Sequence, residues 1–372
     1  MGSEEKAEVS GAAPAPARLV SLDVLRGFDM FWIIGADSFV RALERIDKGG
    51  VPGFLATQFR HVRFDGFHFY DLIFPLFVFI LGVSVVYSLD KILAQHGKLG
   101  AYKRIFRRTI LLFLLGVFYD EGVANIHHEN VLCGVLQRLA LCYFFTSLLY
   151  CHVKRKGLIA LFVVILIGYW ILFCFVPVPG EGKVVIERGA SWAKYVDEII
   201  PPYYDDDPEG FLSTIPAVAS CLLGVFAAFL LKDSRVSPHR KVAWFIGVGL
   251  LMTVAGYLWG MQFPIAKRVW TSSYVLVAGG YSSMLMGLFY LVVDVWKLQK
   301  WAQPFIWIGM NPLTIYMAMN VVDFHGLAER LVGGDIAGAC GRYGQLLVTI
   351  VALGLAMAVV RFMYKKRVFL RL

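Results

Sequence analysis

The chain has 372 residues, 58% of them hydrophobic and 17% charged, with a formal net charge of +9 and a mean hydropathy of +0.64. A soluble domain carries about a quarter charged residues, so an ordinary soluble protein is excluded. Apolar runs long enough to cross a bilayer as helices recur along the chain, without the alternation of a β-barrel, and the fold class is an all-α polytopic membrane protein.

Residues 1–17, MGSEEKAEVSGAAPAPA, are polar and Ala/Pro-rich. They lack the apolar core of a signal peptide and read as a disordered cytoplasmic tail. Residues 18–372 read as a single transmembrane domain of about ten transmembrane helices, near 20–40, 68–90, 104–119, 131–151, 157–176, 210–231, 241–260, 270–296, 303–322 and 344–364. Lys and Arg collect in the tail, in 91–108, 154–156, 232–241 and 297–300, and after Arg361. The positive-inside rule therefore places the N- and C-termini in the cytoplasm. The same asymmetry accounts for the basic stripes, so nucleic acid is not an indicated partner. The longest outer loop, 177–209, is acidic and ends in PPYYDDDPEG. The cysteines fall almost entirely within apolar helices and form no CxxC pair, so they read as small buried hydrophobes.

The first span, SLDVLRGFDMFWIIGADSFV, carries Asp23, Arg26, Asp29 and Asp37. Charges inside a span face a bundle interior or a wet cavity. Asp23, Arg26 and Asp29 are spaced to pair along one face. Asp37 lies about 21 Å further along the axis on a similar face, and burial there would favour its neutral form. Between spans 1 and 2 comes QFRHVRFDG, with His61. Asp71 opens span 2 as an N-terminal carboxylate, and Pro75 is expected to kink that helix. A histidine near Asp37 and Asp71 is the usual acid/base device at neutral pH. His127–His128–Glu129 lacks further ligands of a metal site, and no metal is assigned. Span 4 buries Gln137 and Arg138. An arginine there needs an anionic partner, either a substrate phosphate or a carboxylate of span 1.

Taken in order, RLVSLDVLRGFDMFW (18–32), HVRFDGFHFYDLIFPLFVFILG (61–82), GVLQRLALCYF (134–144), DPEGFLSTIPAV (207–218), PIAKRVWTSSYV (264–275), PFIWIGMNPLTIY (304–316) and the terminal YKKRVFLRL resemble the transmembrane heparan-α-glucosaminide N-acetyltransferase family. The resemblance implies an acyltransferase domain over 18–372. It would move an acetyl group from cytosolic acetyl-CoA to the amine of a glucosamine-type sugar on the other side of the membrane. By the same resemblance His61 corresponds to the active histidine, Asp37 to an assisting asparagine, Arg138 to the arginine of GVLQRL and Asn311 to the asparagine of GMN. A homodimer in a bacterial-type inner membrane, with the active-site mouth facing the periplasm, is also implied.

The physical reading runs beside it. A polyanionic CoA nucleotide suits the cytoplasmic basic rim of Lys103, Arg104, Arg107, Arg108, Lys154, Arg155, Arg240 and Lys241, with Arg26 of span 1 as a further contact. Its pantetheine arm would thread a slot with Asn311, Thr271 and Ser273 as polar guides, and Gln137, Arg138 and Asp71 as further contacts. His61 is expected to act as general base or as the nucleophile that is acetylated first, with Asp37 orienting it. An amino-sugar transporter and an O-acyltransferase acting on a periplasmic glycan are the alternatives. Intramembrane Asp/Arg pairs suit a proton-coupled carrier equally well.

Overall fold

The computed structural model describes residues 19–120, 134–179, 186, 191–199 and 210–368. The tail 1–17, the His127–His128–Glu129 stretch, Cys133, most of loop 177–209 with its acidic PPYYDDDPE, and the last four residues lie outside them. Among the described residues there are helices and no strand. In chain order these are α1 (Val20–Ile46), α2 (Gly50–Gln58), a 3₁₀ turn (Phe69–Leu72), α3 (Ile73–Asp120), α4 (Val135–His152), α5 (Arg155–Phe175) and α6 (Trp192–Ile199). They continue with α7 (Thr214–Lys232), α8 (Pro238–Gly260), α9 (Ser272–Phe289) with a π-helical end, α10 (Gln303–Met310), α11 (Pro312–Val321), α12 (Phe324–Val332), α13 (Asp335–Ala339) and α14 (Gly344–Lys365).

Six helical segments among the described residues are long and apolar enough to cross a membrane: Phe69–Tyr119, Arg155–Phe175, Phe211–Lys232, Pro238–Gly260, Ser272–Val295 and Gly341–Lys365. The chain is a multi-pass membrane protein. The remaining sequence-derived spans are helical, but α1 is rich in charge and the 303–322 segment breaks between α10 and α11. At that break Asn311 leaves helical geometry (φ −131°, ψ 44°) and Pro312 opens the next helix, a position where its missing N–H costs nothing. Val164, Leu250, Leu258, Ile350 and Phe362 stand exposed on α5, α8 and α14, an outer surface suited to acyl chains rather than water.

Two features differ from the sequence expectations. Pro75 does not kink span 2. The helix begins at Ile73 after the 3₁₀ turn, so Pro75 sits in the first turn, where backbone N–H groups have no intrahelical partner to lose. Helix α3 instead breaks at Gly97, whose φ of +62° is open to glycine at little cost. Residues 77–88 and 104–112, before and after that break, line one cavity, so the two halves fold back on each other as a hairpin. Among the described cysteines, Cys142 and Cys221 are buried as expected, whereas Cys340 is exposed.

Helices approach most closely where glycines face backbone. Gly27 of α1 lies against the carbonyl of Phe305, and Gly309 of α10 against that of Asp23. The crossing of α3 on α7 repeats the arrangement with Gly82 and Gly224. Small residues permit such contact in a bilayer, where dispersion and close packing replace the hydrophobic effect between helices. The core that results joins Val78, Val85, Leu139, Leu222, Val225 and Val277 from α3, α4, α7 and α9.

Candidate active site

The segment from Arg60 to the 3₁₀ turn is organised around one carboxylate. Asp71 accepts backbone N–H bonds from His68 (3.0 Å) and Val62 (3.3 Å) on Oδ2, and its side chain is 2% exposed. Its other oxygen, Oδ1, lies 2.8 Å from Nδ1 of His61, which is 48% exposed. An ionised carboxylate can only accept, so His61 donates from Nδ1 and the lone pair resides on Nε2. The Tyr274 hydroxyl donates to the Asp71 carbonyl at 2.7 Å, and the His68 ring donates from Nδ1 to the Arg60 carbonyl at 2.9 Å. The carboxylate that meets the histidine is thus Asp71, and N-terminal capping is only half of its work.

A second loop is clipped to the first. The Ile265 N–H donates to Asp65 Oδ1 (2.8 Å) and the Gly66 N–H to the Ile265 carbonyl (3.1 Å). Thr271 and Ser273 donate to the Pro264 carbonyl at 2.8 and 3.0 Å, and Thr271 also accepts from the Ala266 N–H. Both hydroxyls are fully buried and brace the turn 264–270. That turn delivers Lys267, whose Nζ is 3.3 Å from Nδ1 and 3.2 Å from Nε2 of His61. The ring of Tyr70 stacks on His61 with centroids 4.6 Å apart and planes 22° apart.

A cavity of about 520 Å³ runs beside α3. Phe74, Phe77, Leu81, Ser84 and Ser88 follow one another along its wall, a length of about 21 Å by helical rise. Phe74 is three residues beyond Asp71, so this end lies within about one helical turn of the histidine's partner. The other end holds Asp23, Arg26, Arg104 and Arg108. Arg26 bonds Asp23 and the Gly309 carbonyl, both at 3.3 Å, and Ser84 at 2.9 Å. Arg108 lies over the Tyr143 ring at 4.6 Å. Among the described residues neither Arg104 nor Arg108 meets a carboxylate, and their Nε atoms are buried without a hydrogen-bond partner. A second opening, of about 910 Å³, shares Ser88 and Arg104 with the cavity and adds Lys91, His96, Lys103 and Arg107. Two arginines four residues apart on one helix, with further cations at the mouth, have the chemistry to receive an anion.

The structure therefore brings Arg26, Arg104 and Arg108 together at one end of the cavity, whereas His61 and Asp71 do not line it but lie close to its Phe74 end. Asp37 is exposed, against the expectation of burial. It lies within electrostatic reach of Tyr70, as does Asp29, one ring removed from His61. Asp29 is fully buried, and among the described residues its carboxyl has no hydrogen-bond partner. Gln137 and Arg138 are not among the cavity's lining residues, although Val135, Leu136 and Leu139 around them are. Arg138 donates to the Gly210 carbonyl at 2.9 Å and faces Trp270. Asn311 is likewise turned off the cavity and donates from Nδ2 to the Val368 carbonyl at 3.1 Å. Lys267 and Tyr70 were missed as site residues. The available signal was Lys267–Arg268, a charged pair in a connection otherwise without charge. Among the described residues no cluster of metal-ligating side chains is found.

A family profile described as heparan-alpha-glucosaminide N-acetyltransferase, catalytic, matches residues 18–250. The chain is 27% identical over 417 residues to heparan-alpha-glucosaminide N-acetyltransferase of Homo sapiens, covering 95% of this chain and 60% of that protein. It is 28% identical over 373 residues to the protein of the same name from Mus musculus, covering 84% of this chain and 56% of the relative. The chain thus spans less than two thirds of the length of these curated relatives.

Proposed function

The chain belongs to the heparan-alpha-glucosaminide N-acetyltransferase family, and from that premise we propose that it transfers an acetyl group from acetyl-CoA to the amine of a glucosamine-type sugar across the membrane. The observation that carries this reading is the cavity that joins two uncompensated arginines to the neighbourhood of His61. In this account the nucleotide phosphates of acetyl-CoA meet Arg104 and Arg108, with Lys103 and Arg107 at the mouth. The pantetheine arm then lies along α3 with its thioester toward Phe74. The arginine end faces the cytoplasm together with both termini, as the positive-inside bias suggests, and about ten helices cross the bilayer. His61 then faces the periplasm of a bacterial-type inner membrane, and the family resemblance suggests a homodimer.

His61 is placed to receive the acetyl group from one side and pass it to an acceptor on the other. Its Nε2 lone pair attacks the thioester carbon, and the Nδ1 proton remains shared with Asp71, which stabilises the cation that forms. Asp37, exposed beside Tyr70, offers a carboxylate to the acceptor's ammonium. The ammonium gives up one proton to water, the free amine displaces the imidazole from the acetyl carbon, and the second proton it sheds on becoming an amide also leaves to water.

Purified protein given labelled acetyl-CoA and glucosamine is expected to yield labelled N-acetylglucosamine and one free CoA per acetyl group transferred. Absence of CoA release with every amino sugar tried overturns the reading in favour of a carrier, which consumes no acetyl-CoA. Arg104→Gln and Arg108→Gln are each expected to weaken CoA binding by roughly tenfold or more, the loss of a charge-assisted hydrogen bond, measured by titration calorimetry.

A further inference from the structure

Lys267 stands 3.3 and 3.2 Å from the two ring nitrogens of His61. The two nitrogens of an imidazole flank Cε1. A point in the ring plane at nearly equal distance from both would therefore either run into that carbon or lie across the ring. The ammonium is accordingly above the ring and not in line with the Nε2 lone pair, which lies in the plane. Tyr70 stacks on the ring with centroids 4.6 Å apart. Lys267, Tyr70 and, at the Nδ1 edge, Asp71 together surround His61.

This arrangement fixes what surrounds an electrophile at Nε2. The thioester carbon must approach along the in-plane lone pair, so its carbonyl oxygen, carried off that axis, projects to one side of the ring plane. On the Tyr70 side it would meet an aromatic face, whose quadrupole repels negative charge. Toward the ammonium above the ring it meets Lys267. We infer that Lys267 is a catalytic residue that binds the carbonyl oxygen of the acetyl group as it becomes an oxyanion, an assignment that rests on the reading of His61 as nucleophile.

The step balances as follows. The Nε2 pair forms the N–C bond, and the C=O π pair moves onto oxygen beside the Lys267 ammonium. That pair then returns as the C–S bond breaks, and CoA leaves as thiolate toward the cavity. The second half repeats the geometry with the acceptor amine attacking and Nε2 leaving, so one cation serves both tetrahedral species. Preorganised charge of this kind is worth more than the same charge in water because it needs no reorganisation as the oxyanion forms. Among the described residues, Asp71 on the 3₁₀ turn bonds the ring and Asp37 on α1 reaches Tyr70. Both are acidic, so neither substitutes for the lysine. The motif PIAKRVWTSSYV thereby gains a chemical purpose. The hydroxyls of Thr271 and Ser273 fasten the turn by its Pro264 carbonyl, and the turn holds the ammonium over the ring.

The test compares wild type with Lys267→Met, Lys267→Gln and Lys267→Arg by single-turnover release of CoA without acceptor and by steady-state transfer to glucosamine. CoA binding is measured on the same preparations. Loss of one oxyanion donor is expected to lower both kcat and the single-turnover rate by roughly 10²–10³-fold in the Met and Gln variants, with CoA Kd within about twofold. Lys267→Arg is expected to recover at least tenfold of that loss. Wild-type rates in Lys267→Met, or an Arg variant no faster than Gln, overturn the assignment. Should Lys267→Met fail to bind CoA, the comparison of Arg with Gln decides alone. A wild type that releases no CoA defeats the acetyltransferase reading itself, a result distinct from any of these.

Discussion

Replacing His61 with alanine leaves a protein that binds CoA as well as wild type and transfers no acetyl group above roughly 10⁻³ of the wild-type rate. The two halves of that expectation come from the separation of the site. The residues proposed to hold the donor's phosphates, Arg26, Arg104 and Arg108, lie toward the far end of a cavity wall that runs about 21 Å from Phe74 to Ser88, so truncating the ring disturbs none of them. The group removed is the one in-plane lone pair at the other end, and removing a positioned nucleophile or base costs about 10²–10⁴-fold. Asp71→Asn should fall between these limits with a different signature. A neutral amide no longer stabilises the imidazolium, and it donates where the carboxylate accepted, so the Val62 and His68 N–H bonds are weakened as well. Asp37→Ala, by contrast, should raise the KM for glucosamine and leave single-turnover CoA release near wild type, because Asp37 reaches His61 only through Tyr70. Equal losses in Asp37→Ala and Asp71→Asn would show that the two carboxylates share one role and would sink this division of labour.

Much of the architecture was legible from apolar run length alone, because in a bilayer every backbone polar group must be paired within its own helix. The same physics made His61 legible. A titratable residue next to a span that starts with a carboxylate is unusual enough to be noticed. Its partner was not. Asp37 and Asp71 both lie near that face, and the choice between them depends on how 60–68 folds, which two backbone N–H bonds to Asp71 decide. Lys267 was harder still, since it is 206 positions from His61 and arrives only because Asp65 and Gly66 clip one loop to the other. Polar residues inside spans carry a second, structural use. Asn311, Thr271, Ser273 and Arg138 look like ligands in a one-dimensional reading because buried polar groups are costly. In the fold each bonds a main-chain carbonyl: Val368, Pro264 for the two hydroxyls, and Gly210.

Introducing leucine at Gly309 should have the largest effect on the fold of any single surface-neutral change, and it should act through the cavity. A Cβ at Gly309 lands on the Asp23 carbonyl, and one at Gly27 lands on that of Phe305. Both obstacles are backbone, so no rotamer change relieves them and α1 must separate from α10 along its length. Overpacking of this kind costs about 3 kcal/mol or more, a large share of a marginal total. The separation also removes one acceptor of Arg26, whose guanidinium bridges the Gly309 carbonyl and Ser84 across the cavity wall. Gly309→Leu is therefore expected to lower the yield of monodisperse protein after heating, and CoA affinity should fall in whatever fraction survives. Gly354→Leu is the control. Gly354 lies on α14 with nothing within 4 Å of the added carbon, so it should behave as wild type in both measurements. If Gly309→Leu instead retains full stability and CoA affinity, the close crossing of α1 and α10 is not what shapes the donor end of the cavity.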